Sequence, residues 1–138
     1  MRPTQGAAEL IEAVHERGCR VGVVSRGFEE VVVPLAERLG IDHVAANRLE
    51  VVVGRLTGRV MGRVVDRQEK VRCLIAWAQQ DGVPMERTIA VGDGANDLGM
   101  LEAAGLGVAF CAKPVVVEQA DAAIHVRDLR AVLQLIGG

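Results

Sequence analysis

Residues 91–100, V-G-D-G-A-N-D-L-G-M, place two carboxylates and an amide in one glycine-containing loop. An apolar run ends just before Asp93 and an Ala-rich helical pattern follows Asp97, so the loop should connect a strand to a helix. A carboxylate at this point suits a hard cation such as Mg²⁺, which prefers oxygen ligands. Asn96 can cap the helix or donate a hydrogen bond to an anion. Because G-D-G and N-D are also common in turns, the loop alone leaves a structural interpretation equally open.

Two other positions could contribute to binding a phosphate group. Ser25 ends a predicted strand in V-V-S-R-G-F, where its hydroxyl and the following N–H groups, those of Arg26 and Gly27, could hold phosphate oxygens. Lys70, in D-R-Q-E-K, is a point charge that could neutralise a phosphate. Taken singly, Ser25 is more simply a helix N-cap and Lys70 a solvated surface residue.

Alternating strands and helices must position these groups. The pattern predicts helices at residues 7–17, 28–39, 71–80, 96–104, 115–120 and 129–136, and strands at 19–24, 88–91, 106–110 and 122–126, with two short strand-like pieces in 42–53 and a hairpin arm at 55–60. This alternation favours a mostly parallel, Rossmann-like sheet with helices on both faces. Ligands of such sheets lie outside the carboxyl ends of the strands, so Ser25 and the Asp93–Asp97 loop should face one crevice.

Length and composition limit the architecture. The 138 residues predict one domain, 1–138, and a hydrophobic content of 50% with only 2% aromatics predicts an aliphatic core. Three widely spaced cysteines without a C-x-x-C pair predict reduced thiols in a cytoplasmic protein.

The same composition argues against two classes of partner. A net charge of −2, with two Phe and one Trp, disfavours nucleic-acid binding. Spanning a bilayer takes about 20 consecutive apolar residues, and no run in the chain approaches that length, so no membrane association is expected.

The order of Ser25, Lys70 and the G-D-G-x-N-D loop resembles the haloacid dehalogenase superfamily of phosphotransferases. Further segments are similar to its phosphoserine phosphatase branch, and the resemblance covers nearly the whole chain. They are S-R-G-F, A-N-R-L-E, G-R-L-T-G-R-V, D-R-Q-E-K, V-G-D-G-A-N-D-L, A-A-G-L-G-V-A-F and A-K-P.

The resemblance implies roles for the candidate residues in Mg²⁺-dependent hydrolysis of phosphoserine to serine and phosphate, the last step of serine biosynthesis. Lys70 would steady the charge on the phosphoryl group, Asp93 would bind Mg²⁺, and Asp97 would support both. Ser25 and Asn96 would contact the phosphate. Where the family usually has Gly after the Ser, this chain has Arg26 followed by Gly27, which keeps a backbone N–H but makes a positive φ harder to hold.

The family's first motif, D-x-D-x-S/T, has no counterpart in the chain. In the family this motif supplies the aspartate nucleophile, which becomes a phospho-aspartate, and the acid that protonates the leaving group. It ends the first, central strand and precedes a helical cap. The resemblance therefore implies the C-terminal part of such an enzyme, lacking that strand and the cap, with no turnover alone.

Removal of a central strand should expose two strand edges, which would close on one another, recruit a strand from elsewhere or leave the domain weakly folded. Two functional hypotheses stay open. The chain is either an enzyme portion completed by an N-terminal segment, or a catalytically inactive phosphate- or phosphoserine-binding module that dimerises through its open edges.

Overall fold

The computed structural model describes the backbone of residues 5–52, 55–61 and 66–135, and their side chains except in 26–31, 47–52 and 55–61. The helices are α1 (Ala7–Glu16), α2 (Glu29–Leu39), α3 (Arg67–Gln80), α4 (Leu98–Ala103), α5 (Pro114–Gln119) and α6 (Val132–Leu135). The strands are β1 (Gly22–Phe28), β2 (His43–Val52), β3 (Arg55–Met61), β4 (Ile89–Gly92), β5 (Leu106–Phe110) and β6 (Ala122–Ile124). This architecture confirms the predicted α/β class.

The strands form two three-stranded sheets in the part of the chain that is described, ordered β1-β2-β3 and β4-β5-β6. All pairs in the second sheet are parallel, as is β1 with β2, whereas β2 and β3 form an antiparallel hairpin. The predicted hairpin arm is thus confirmed as β3, while its turn at residues 53–54 lies outside the described residues. Within the described residues, β1 and β4 each pair along one edge only and not with each other, so the expected edges have not closed together.

Helices cover both faces of the second sheet because its side chains alternate. Ala90 and Ala109 pack with the buried side chains of α4 and α5. Their strand neighbours, including Val108 and Phe110, pack on the other side with Val132 of α6 and Leu10 of α1. The core is aliphatic, as the composition predicts.

Helix α3 joins the two sheets. Its Trp77 lies against Gly22 at the start of β1, where an added Cβ would come within 2.6 Å of the ring. The same ring stacks on His43 of β2, with ring centroids 5.1 Å apart. Nearer the start of the helix, Val71 approaches Gly99 of α4 so closely that a Cβ on the glycine would lie 2.9 Å from Val71 Cγ2. Helix α3 therefore runs from the end of β4 to the beginning of β1.

Several strand predictions are wrong in their bounds; the strand predicted at 122–126, for example, ends at Ile124. Cys19 does not start β1, because its N–H donates to Val14 O and so belongs to the turn that closes α1. Ser25 is not the last residue of β1, which continues to Phe28. Residues 43–52 form one continuous strand instead of two short pieces, because the first half of β2 pairs with β1 and the second half with β3.

Candidate active site

A buried ion pair occupies the carboxyl end of β4. Lys70 and Asp97 retain only 6% and 5% of their accessible surface, and Lys70 Nζ donates to Asp97 Oδ1 at 2.5 Å. Lys70 lies in the first turn of α3, after Asp66 caps the helix by accepting from Glu69 N–H. Such a pair persists in a core because each charge neutralises the other.

The second carboxylate oxygen of Asp97 braces the loop before it. Oδ2 accepts hydrogen bonds from the backbone N–H groups of Asp93 at 3.1 Å and Gly94 at 3.2 Å. Gly92 makes room for this arrangement, since a Cβ there would come within 2.5 Å of Asp97 Cβ. Asp97 thus holds both the lysine and the backbone of the loop. Gly92 was not singled out from the sequence, although a glycine before a ligand loop is a known sign of close packing.

Asp93 is exposed at the end of β4, in contrast to Asp97. Its backbone is fixed by Asp97, and within the described ranges no hydrogen bond or ion pair is recorded for its carboxylate. No group of three or more His, Cys, Asp or Glu side chains in those ranges could enclose a metal ion. Asp93 still fits Mg²⁺ as a single protein ligand, because this cation is commonly held by one or two carboxylates together with water and substrate phosphate.

Asn96 lies in a 3-10 turn, Ala95–Asp97, that precedes α4. It is not the residue that caps either element, since Gly94 precedes the turn and Asp97 precedes α4. The capping interpretation of Asn96 is therefore wrong. Its Oδ1 lies close to Gly94, 3.1 Å from where a Cβ would stand, so the amide sits over the loop braced by Asp97.

Ser25, Arg26 and Gly27 lie in an irregular part of β1. Val24 pairs with Ala45 and Phe28 with Asn47, so three residues of β1 stand opposite one residue of β2. An insertion of this kind bulges the strand and redirects its backbone. Ser25 is partly buried, whereas Arg26 and Gly27 are described by their backbone alone.

The sequence of this chain is similar to those of known phosphatases and hydrolases. The haloacid dehalogenase-like hydrolase family model matches residues 1–102. The phosphoserine phosphatase of Streptomyces coelicolor is 56% identical over 137 residues, which make up 99% of this chain and 33% of that enzyme. The resemblance predicted from the motifs is thus confirmed.

Two solved structures extend the similarity to three dimensions. The chain matches a phospho-aspartyl intermediate analogue of phosphoserine phosphatase with a TM-score of 0.91 and 48% identity, over 98% of this chain and 65% of that one. It matches a substrate-bound phosphoserine phosphatase complex with a TM-score of 0.90 and 48% identity, over 97% of this chain and 64% of that one.

The chain spans between 33% and 61% of the length of the first two curated relatives that it matches. None of the helices in the described ranges is long and apolar enough to cross a membrane.

Proposed function

Because the chain belongs to the haloacid dehalogenase-like hydrolase family, we propose that it supplies the phosphate- and metal-binding part of a phosphoserine phosphatase. The observation that carries this proposal is the buried Lys70–Asp97 pair beside the exposed Asp93, at the carboxyl end of β4. The reaction would release L-serine and phosphate from O-phospho-L-serine, completing serine biosynthesis in the cytoplasm.

Lys70 would supply positive charge where negative charge gathers on the transferring phosphoryl group. Its ammonium is held by Asp97, so it needs little reorganisation when substrate arrives, which is the condition under which an oriented charge lowers a barrier most. Asn96, on the same loop, would donate its amide N–H to a phosphate oxygen. Ser25 and the N–H groups of Arg26 and Gly27 would hold the phosphate from the side of β1.

Asp93 would contribute a carboxylate oxygen to Mg²⁺. When bound, that cation would neutralise part of the phosphate charge and orient the phosphoryl group. Asp97 would act through Lys70 and the loop backbone. It would keep Asp93 at a fixed position while its own hydrogen bonds stay intact.

The covalent step requires an aspartate that this sequence does not contain. A carboxylate oxygen would attack phosphorus, the bond from phosphorus to the serine oxygen would break, and a second carboxyl group would protonate the departing oxygen. Water would then hydrolyse the phospho-aspartate. Under this proposal a D-x-D strand, in the same polypeptide or in another, would lie between β1 and β4.

A complementation assay tests the proposal. Phosphate release from L-phosphoserine with Mg²⁺ would be measured for the 138-residue chain alone and together with a polypeptide that carries the D-x-D-x-S/T strand and cap of a related phosphatase. Release is expected only from the mixture, and EDTA should abolish it.

Two other results would count against the proposal. Saturable phosphoserine binding with no hydrolysis in either arm, from a folded chain, would favour a dimeric binding module instead. Hydrolysis by the chain alone would show that the nucleophile lies among these 138 residues.

A further inference from the structure

Arg67 is the first residue of α3, and the structure places it at the same edge of the molecule as the Lys70–Asp97 pair. Helix α3 starts beside the loop that follows β4, because Lys70 in its first turn reaches Asp97. Its later residue Trp77 lies against the first residue of β1. Arg67 is therefore at the loop end of α3, one turn further out than Lys70 and exposed.

The Arg67 side chain extends over the start of α4 and not away into solvent. A Cβ on Gly99 would lie 3.4 Å from Arg67 Nε and 3.5 Å from its Cγ. Gly99 is the second residue of α4 and follows Asp97 closely in the chain. The missing side chain at Gly99 thus gives the arginine stem a surface on which to rest, and holds it over the first turn of α4, two residues after Asp97.

The charges of this edge leave a role for a further cation. Lys70 is paired with Asp97, and Asp93 adds an uncompensated carboxylate. Before Mg²⁺ binds, a phosphomonoester dianion would meet this negative charge on approach. Arg67 has no ion pair within the described residues, whereas Arg72 on the same helix is bound to Glu69.

We propose that Arg67 is an anion-binding residue at the rim of this site, which attracts the phosphomonoester and holds it by hydrogen bonds to its anionic group. The inference rests on the proposed function for the identity of the substrate. A guanidinium suits the task because its planar donors match the oxygens of phosphate or carboxylate in pairs. As a rim group outside the buried pair, it should influence affinity and salt dependence more than the chemical step.

Titration with inorganic phosphate, followed by NMR shifts of the backbone amides of Asp93 and Asn96 in the full chain, tests the inference. Arg67→Gln should weaken binding about three- to tenfold, in line with the loss of one charge at short range near the surface. Arg67→Lys should recover part of that loss, and the dependence of affinity on salt should be shallower in Arg67→Gln than in the wild type.

Arg72→Gln is the matched control, because it removes an exposed charge of the same helix that is already paired with Glu69. Equal phosphate affinity and salt dependence in the wild type and Arg67→Gln would overturn the inference, as would failure of the wild type to bind phosphate. The proposed function is decided separately by hydrolysis in the complementation assay, so either idea can fail while the other stands.

Discussion

The Lys70–Asp97 ion pair belongs both to the core of the fold and to the candidate active site. The pair is buried and its bond is short. Each side chain is a poor candidate for burial by itself, since an unpaired charge in a core is strongly destabilising. Their mutual neutralisation explains why a lysine from one helix and an aspartate from a distant loop meet here.

Lys70→Met should leave the Asp97 carboxylate buried without its counter-charge. Removal of one partner of a buried pair costs about 3–5 kcal/mol, so urea denaturation should show a loss of that size in the free energy of unfolding. Lys113→Met, which removes an exposed lysine, serves as the control and should change little. A loss below about 1 kcal/mol, typical of an exposed ion pair, would show that Lys70 and Asp97 do not form a buried ion pair.

The sequence singled out the candidate residues, but it indicated their contacts only in part. The spacing of the loop marked Asp93, Asn96 and Asp97, but a spacing cannot tell which carboxylate turns inward. The structure buries Asp97 and exposes Asp93 because Asp97 finds Lys70 and two N–H donors, and Asp93 does not. The contacts of Gly99 could not be predicted, since they depend on Val71 and Arg67, which come from α3.

Specific side-chain contacts and hydrogen bonds between helices and strands hold the elements in place. One is the contact of Trp77 with Gly22 and His43, where His43 Nε2 also lies 2.8 Å from Asp81 Oδ2. Another is Asp42, which precedes β2 and is hydrogen-bonded to His15 of α1 and to the N–H of Val21.

Gly22→Ala should force the Trp77 ring away from β1. Overpacking of this kind costs about 1–3 kcal/mol, and the emission of Trp77, the only tryptophan, should shift as the ring becomes exposed. Val44→Ala, at an exposed position of the neighbouring strand, is the control. An unchanged unfolding midpoint and unchanged emission in Gly22→Ala would contradict the close packing of α3 on β1.

Asp42 should make part of the stability sensitive to acid. Partial burial tends to raise its pKa, but hydrogen bonds from Val21 N–H and His15, with the charges of His15 and Arg20, outweigh that effect and hold the pKa below its ordinary value of 3.8. The ionised carboxylate therefore stabilises the fold above about pH 4, and this contribution is lost as the pH falls through the lower folded-state pKa.

Asp42→Asn should consequently lose less stability than the wild type between pH 5 and pH 3, as measured by urea midpoints. Glu118→Gln, which removes an exposed carboxylate of α5, is the control and should follow the wild-type curve. If the stability of Asp42→Asn kept the full dependence on acid, the hydrogen bonds of Asp42 to His15 and Val21 would not contribute to stability in this pH range.

The sequence predicted the order of helices and strands because hydrophobic periodicity is a local signal. The prediction failed where pairing with a distant strand sets the bounds. Strand β2 continues as one strand because its first half pairs with β1 and its second half with β3. Strand β1 passes through Ser25 because Phe28 still pairs with β2. Register insertions of this sort leave no mark in a single sequence.

The molecule as a whole is two sheets joined through α3, with β1 and β4 each paired along one edge within the described residues. An open edge presents unpaired N–H and C=O groups to any strand of suitable register. The gap was predicted from the absence of a D-x-D segment, whereas the lack of direct pairing between β1 and β4 could be learned only from the structure. Under the proposed function, a nucleophile-bearing strand enters between them.

Amide hydrogen exchange should detect that strand. Addition of the complementing polypeptide should slow exchange in β1 and β4, whose free edges would gain hydrogen-bond partners. Exchange in β6, at the far edge of the second sheet, should not change. Equal protection of β1 and β4 with and without the polypeptide would mean that it does not enter the gap.

The most direct measurement is the rate of phosphate release from L-phosphoserine by a chimera, in which this chain replaces the matching third of the Streptomyces coelicolor phosphoserine phosphatase. We expect Mg²⁺-dependent hydrolysis that falls at least about a hundredfold in Lys70→Met and in Asp93→Asn, the loss typical when a preorganised charge at the reacting phosphate is removed. A folded chimera without activity, or one whose activity survives both substitutions, would contradict it.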